Sequence, residues 1–183
     1  MRLWTVLAIS VLLLVVVVPA SAGSITVGGS WYEFSFGSTG SFATRGTGTT
    51  PSSGGNSVYA DLPPWTFSAD GGGVLLTVTD AFIHGDAFTI FDNAVEIGST
   101  PLVAHGGGST DDPAVALLDP GFSHAEFWLG PGDHSITIQM LASPYGSGAA
   151  YFRADNVVPA PGALLLLGSG LFTLLPWRRR AAR

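Results

Sequence analysis

Cysteine and lysine are both absent from this sequence of 183 residues. Without cysteine there are no disulfide staples, so a domain working outside the cytoplasm must rest on its packed core or on bound ions. Without lysine, positive charge is confined to seven arginines, and five of these, Arg2, Arg178, Arg179, Arg180 and Arg183, lie at the two ends. Between residues 23 and 157 only Arg45 and Arg153 remain, two against all thirteen acids, which gives that segment a net charge of −11. A surface of that sign repels phosphate backbones and excludes nucleic acid as a partner. Long amphipathic helical patterns are lacking too. That argues against a parallel α/β fold, whose strands need helical crossovers.

The chain begins Met1-Arg2-Leu3-Trp4, continues as an apolar run over residues 6–18, and then reads Pro19-Ala20-Ser21-Ala22. A basic residue, a short apolar stretch and small side chains at Ala20 and Ala22 are the parts of a secretory signal peptide. The run is too short for a permanent span. Residues 1–22 are therefore read as a signal peptide, cut after Ala22 by signal peptidase. The segment from Gly23 to Val157, roughly 135 residues, is one domain long enough to bury a core.

Within that domain the pattern is all-β. Ser24-Ile25-Thr26-Val27 and Trp31-Tyr32-Glu33-Phe34-Ser35-Phe36 open it, with Tyr32, Phe34 and Phe36 on one face. Residues 37–57 are almost wholly Gly, Ser and Thr, with Arg45 as their one charge. Few side chains there offset the entropy of ordering, which predicts a long loop; a Gly-rich hairpin lying on the sandwich is the alternative. Trp65-Thr66-Phe67 and residues 74–82, 87–91, 95–97, 102–104, 125–129, 135–141 and 149–157 read as further strands. His84-Gly85-Asp86 and Gly130-Pro131-Gly132-Asp133 read as turns. A turn is also expected at Asp92-Asn93-Ala94, although alanine resists positive φ and so disfavours a two-residue type I′ form. Asp111-Asp112-Pro113 can cap a short helical turn through Leu118. Some eight or nine short strands of this kind predict a β-sandwich, jelly-roll-like by strand count.

After Val157 the character changes. Val158-Pro159-Ala160-Pro161 leads into an apolar stretch over residues 162–177 that contains Gly168-Ser169-Gly170, and Arg178-Arg179-Arg180 ends it. The apolar part, counted from Pro161, reaches the lower edge of about 17 residues for a membrane-spanning helix. The arginine cluster belongs on the cytoplasmic side, so the tail stops transfer and leaves the domain facing the periplasm. Two prolines one residue apart, a Leu-rich span and a terminal basic cluster, in that order, resemble the PEP-CTERM sorting tail. Pro159 and Pro161 match that family's two prolines, and Ala160 stands where the family has Glu. The resemblance covers the last 26 residues. It implies processing by an exosortase, a membrane-embedded cysteine protease or transpeptidase, in a bacterium that has an outer membrane and makes exopolysaccharide.

Candidate chemistry in the domain is sparse. His84, His105, His124 and His134 lack the H-x-H or H-E-x-x-H spacing of a local metal site and are read as surface or turn residues. Ser123-His124 and His134-Ser135 are neighbours in strands, where adjacent side chains take opposite faces, so neither makes a nucleophile–base pair. Asp80, Asp86 and Asp92, with Asn93, sit at strand ends and are the candidate calcium ligands; Asp111, Asp112 and Asp119 sit in the irregular segment. The competing reading for all of them is turn chemistry. Trp31, Tyr32, Trp65, Trp128 and Tyr151 are either core residues or a stacking platform for sugar rings. No catalytic residue and no cofactor beyond that calcium is expected. The expectation is a non-enzymatic structural or adhesive surface protein linked to exopolysaccharide, the alternative a carbohydrate-binding sandwich module, calcium-dependent or not.

Overall fold

The computed structural model describes residues 22–47 and 57–157. Ala20, the motif residues 158–161, the apolar stretch 162–177 and the arginines 178–180 lie outside the described residues. Among the described residues no helix is long and apolar enough to cross a membrane.

Among the described residues, period-two runs of β-branched and aromatic residues form the longer of eleven strands, which lie in two sheets that face each other, the expected all-β sandwich. The first sheet orders β1 (Gly23–Ser24), β5 (Trp65–Ala69), β10 (Gly132–Ala142), β7 (Ala87–Asp92) and β8 (Val95–Ser99). The second orders β3 (Thr44–Arg45), β2 (Trp31–Phe36), β11 (Gly148–Asn156), β6 (Val74–Asp80) and β9 (His124–Leu129), with β4 (Ser57–Tyr59) pairing parallel to β2. Apart from β4 and the parallel edge pair β1–β5, the ladders are antiparallel. Between the sheets Phe34, Phe36, Leu76, Val78 and Phe152 meet Trp65, Phe88, Ile90, Ile136, Ile138 and Met140, all buried. The aromatic rings interlock at tilted and edge-on angles, as between Phe34 and Phe88 at 5.5 Å.

A second, smaller apolar cluster lies on the opposite side of the second sheet. Trp31, Ala81 and Tyr151 are buried there, with Phe82 and Leu117 against them. The cover comes from the chain that leaves β6 and from α1 (Pro113–Ala116), whose N-cap Asp112 accepts from the Ala114 N–H as expected. This cover explains why β6 is buried on both faces from Leu76 to Asp80.

Four local expectations are corrected. The segment 37–57 is not loop throughout: β3 pairs with β2 inside it, β4 begins at its last residue, and Phe42 bridges to Gln139. Thr44 and Ser35 supply the polar cross-strand contacts that composition alone conceals. The opening strand is shorter than residues 24–27, because after Ser24 the chain turns at Gly28. Residues 102–104 form no strand. Asn93 and Ala94 both take positive φ, 50° and 63°, so β7 and β8 are joined by the two-residue turn that alanine was expected to resist.

Candidate functional site

Glu33 is the one acid in a strand otherwise aromatic and serine. Since Phe34 and Phe36 point into the core, Trp31 and Glu33 must take the outer face of the second sheet. Register then places Glu33 opposite Tyr151, Tyr151 opposite Thr79, and Thr79 opposite His124, one row across four strands. The Tyr151 hydroxyl donates to Glu33 Oε2 at 3.3 Å. Both groups are buried. Burial raises the Glu33 pKa above the usual carboxylate range, against a lowering from the Tyr151 hydrogen bond. Burial, joined by the Glu33 charge, pushes the Tyr151 phenol far above its ordinary value.

The lid over this row is Phe82. Its ring stacks on Tyr151 with centroids 5.8 Å apart and planes 24° from parallel. Its backbone sits at φ 68°, held by an N–H bond to Thr110 O at 2.6 Å. An aromatic residue in the left-handed region costs about 1–3 kcal/mol, and such strain persists only where the surroundings enforce it.

Just beyond, the turn His84-Gly85-Asp86 folds back on Asp80. Asp80 Oδ1 accepts from the Ala81 N–H at 2.8 Å, and Oδ2 accepts from the Gly85 and Asp86 N–H groups at 3.1 and 3.2 Å. Gly85 is required here: its φ is 132°, and a Cβ would lie 2.7 Å from His105 Cβ and 2.9 Å from Pro144 Cγ. Burial first, and the neighbouring Asp86 charge second, raise the Asp80 pKa to about 8 despite the three N–H bonds. Burial pushes Asp86 up to about 6. The Ser143 hydroxyl lies near enough to pull Asp86 down somewhat, but neither Ser143 Oγ nor Asp86 Oδ1 has a hydrogen-bond partner of proper geometry.

Beside these parts lies an open cavity of about 410 Å³, lined by Glu33, Phe82, Asp86, Asp111 and Tyr145 among others, and by Ser147, Gly148 and Ala149 where β11 begins. Gly148 has no room for a side chain on the core side. A Cβ there would stand 2.7 Å from Phe36 Cζ and 3.3 Å from Asp86 Oδ2. The lining carries three carboxyl groups, two aromatic rings and no basic side chain. Chemically it offers acceptors for hydroxyl or ammonium donors beside apolar ring faces. A second depression, around Asp133 and His134, is lined largely by groups already bonded to one another, such as Ser68 with Asp133 and Asn93 Nδ2 with the Asp133 carbonyl.

Of the candidate calcium ligands, Asp80 and Asp86 come together, while Asp92 and Asn93 lie at the far end of β7. Asp92 takes His134 Nδ1 at 2.8 Å and the Ser135 N–H at 3.1 Å. No group of three or more metal-ligating side chains converges among the described residues. Asp112 caps α1, and Asp119 accepts from the Gly121 N–H and lies 3.3 Å from His84 Nε2. His84 packs edge-on against Phe122 at 4.1 Å, His105 meets Tyr145, His124 Nδ1 faces the Phe122 carbonyl, and His134 Nε2 faces that of Gly130. Ser123 is buried against Thr100 and the Pro101 carbonyl, away from His124. The aromatic platform does not form: Trp31, Trp65 and Tyr151 are buried, Tyr32 is half-buried against Phe152, and Trp128 alone is exposed. Sequence reasoning missed the rings that reach the cavity, Phe82 and Tyr145. It also missed Glu33, whose signal is a lone acid in an aromatic strand.

Fold and site together define an all-β sandwich with an acidic, ring-lined cavity on the outer side of one sheet. Comparison with family models, with curated proteins and with solved structures found no match to this chain.

Proposed function

We propose that this chain is an exported, membrane-tethered surface protein whose sandwich, jelly-roll-like in its strand order, binds carbohydrate of the extracellular layer in the cavity beside Glu33 and Asp86. The observation that carries the reading is the pairing of carboxyl acceptors with aromatic faces in one hollow of about 410 Å³. Sugar rings need both: acceptors for their hydroxyls and apolar faces for their C–H surfaces. The role is adhesive rather than catalytic. Export rests on residues 1–22 and tethering on residues 162–180, with the PEP-CTERM-like Val158-Pro159-Ala160-Pro161 directing later processing by an exosortase. The full chain in detergent, applied to an array of neutral, amino and acidic glycans with and without calcium, tests the binding step. Retention of a defined glycan class that is lost in Glu33→Ala supports it; no retention under either condition rejects it.

A further inference from the structure

We infer that the end of the sandwich from which the chain departs rests on the bilayer, with the Trp128 ring seated among the headgroups of the periplasm-facing leaflet. This deepens the tethering reading above and rests on it. Register sets the end of β11, the start of β6 and the end of β9 side by side: Asn156 pairs with Val74, and Val74 with Leu129. Val157, the last described residue, donates its N–H to Gly73 O at 3.3 Å. The same glycine carries the Trp128 ring. A Cβ on Gly73 would lie 3.1 Å from Trp128 Nε1, and one on Gly130 would lie 3.6 Å from Trp128 Cη2. The indole therefore lies along two glycines, 65% exposed, beside the point of departure. Exposure of one ring says little by itself; its place in the fold carries the inference.

Only residues 158–161 separate this end from the apolar stretch 162–177. The steps from Val157 to Gly162 reach at most about 18 Å. The tether thus keeps this end within that distance of the hydrocarbon edge, and headgroups fill about 5–8 Å of it. Tryptophan favours that layer, because its ring is apolar and its indole N–H is a donor for headgroup oxygens. Aromatic anchors mark both interfaces of a spanning segment. The stretch brings one at its basic end, Trp177 beside Arg178, but residues 158–163 hold neither Trp nor Tyr. Trp128 supplies that second anchor from the domain. Asp70 and Asp133 are exposed at the same end, so anionic headgroups add no attraction and the contact depends on the ring and the tether. The same charges disfavour a second copy as the occupant, since two acidic ends would meet. Seated in this way, the domain holds Val158-Pro159-Ala160-Pro161 at the membrane surface, the depth at which a membrane-embedded exosortase works.

The absence of cysteine makes the test direct, because one introduced thiol takes one fluorophore. The full chain, recovered from membranes after export, is placed one per nanodisc of phosphatidylcholine that contains a headgroup-nitroxide lipid as quencher. Gly71→Cys sets the dye in the turn beside Gly73, where an added Cβ meets nothing within 4 Å. Leu118→Cys, at a residue 85% exposed, sets it between α1 and β9, by the opposite end of β9. Quenching at position 71 should exceed that at 118 at least threefold. Adding Trp128→Ala should cut the quenching at 71 by at least half, whereas Trp128→Tyr should keep most of it. Trp128→Gln replaces the alanine variant if that one does not fold. Quenching at 71 that is unchanged by loss of the ring overturns the seating of Trp128 and leaves the tether standing. Equal quenching at both positions also overturns it, since exposure and not place then governs the contact. Failure of the chain to stay with the discs rejects both.

Discussion

Asp80 gathers three backbone N–H groups and still has its pKa raised to about 8, so burial outweighs local hydrogen bonding at this residue. That balance sets the sign of the pH dependence. Between the ordinary value of 3.8 and the folded values of about 8 for Asp80 and about 6 for Asp86, the folded state holds protons that the unfolded chain has released. Their contribution to stability is therefore greatest in acid and declines as pH rises through this window. Melting temperatures taken from pH 4.5 to pH 8 should fall. Asp80→Asn should lose about 1–3 kcal/mol at pH 5, where an amide donor replaces one acceptor, yet show a flatter decline. A variant curve parallel to the wild type would remove Asp80 as the titrating group. Phe82 gives the second residue-scale prediction. Alanine keeps the strain of φ 68° and glycine does not, so Phe82→Gly should be more stable than Phe82→Ala by about 1 kcal/mol in urea unfolding. Equal stability of the two would mean that the backbone relaxes once the ring is gone.

At the scale of elements, period two and turn chemistry carried most of the strands into their observed places. β2, β6, β7, β10 and β11 each lie within a few residues of the run that announces them. β3 and β4 stayed hidden because their stability comes from the neighbouring strand β2 and not from their own composition. Glu33 stayed hidden for a related reason. Alternation marks Glu33 as facing away from Phe34, but only the cover from Phe82 and α1, distant in sequence, turns that outward face into a buried one. Asp80 and Asp86 were legible as strand-end acids; that Asp92 belongs elsewhere is a consequence of the length of β7, which carries it to the other end of the sandwich. The β7–β8 turn shows packing overriding a local preference. Ser135 O receives the Asn93 N–H at 2.9 Å, which fixes the turn against neighbouring β10 and holds Ala94 at φ 63°. Ala94→Gly should release that strain and, net of glycine's greater freedom when unfolded, stabilise the protein by about 0.5–1 kcal/mol. Chemical denaturation with an unchanged m-value is the check, and a loss of stability would show that Ala94 makes contacts worth more than its backbone strain.

For the whole molecule, the outermost backbone hydrogen bonds of the sandwich among the described residues lie just inside the two points where processing is proposed. Gly23, the first residue after the proposed signal cut, opens β1 and donates its N–H to Leu62 O at 2.9 Å and Pro64 O at 3.1 Å. An ammonium created there by cleavage after Ala22 keeps both acceptors and gains charge-assisted bonds to them. Ala22 itself is exposed and outside the sheet. At the other end β11 finishes at Asn156, and Val157 N–H reaches Gly73 O at 3.3 Å, one residue before Val158. Among the described residues the core clusters span from Ile25 to Ala154. Removal of both ends should therefore leave the fold unchanged, and a chain trimmed to residues 23–157 should melt in one cooperative transition within about 2 °C of the full chain, less than the shift expected from a 1 kcal/mol change in a domain of this size. Intact mass of the protein recovered from its own cells measures the processing directly. A species beginning at Gly23 and ending near Ala160 is expected. One that retains the apolar stretch and Arg178-Arg179-Arg180 would leave tethering in place and remove the exosortase step, the outcome that the Ala160 substitution in the motif makes most informative.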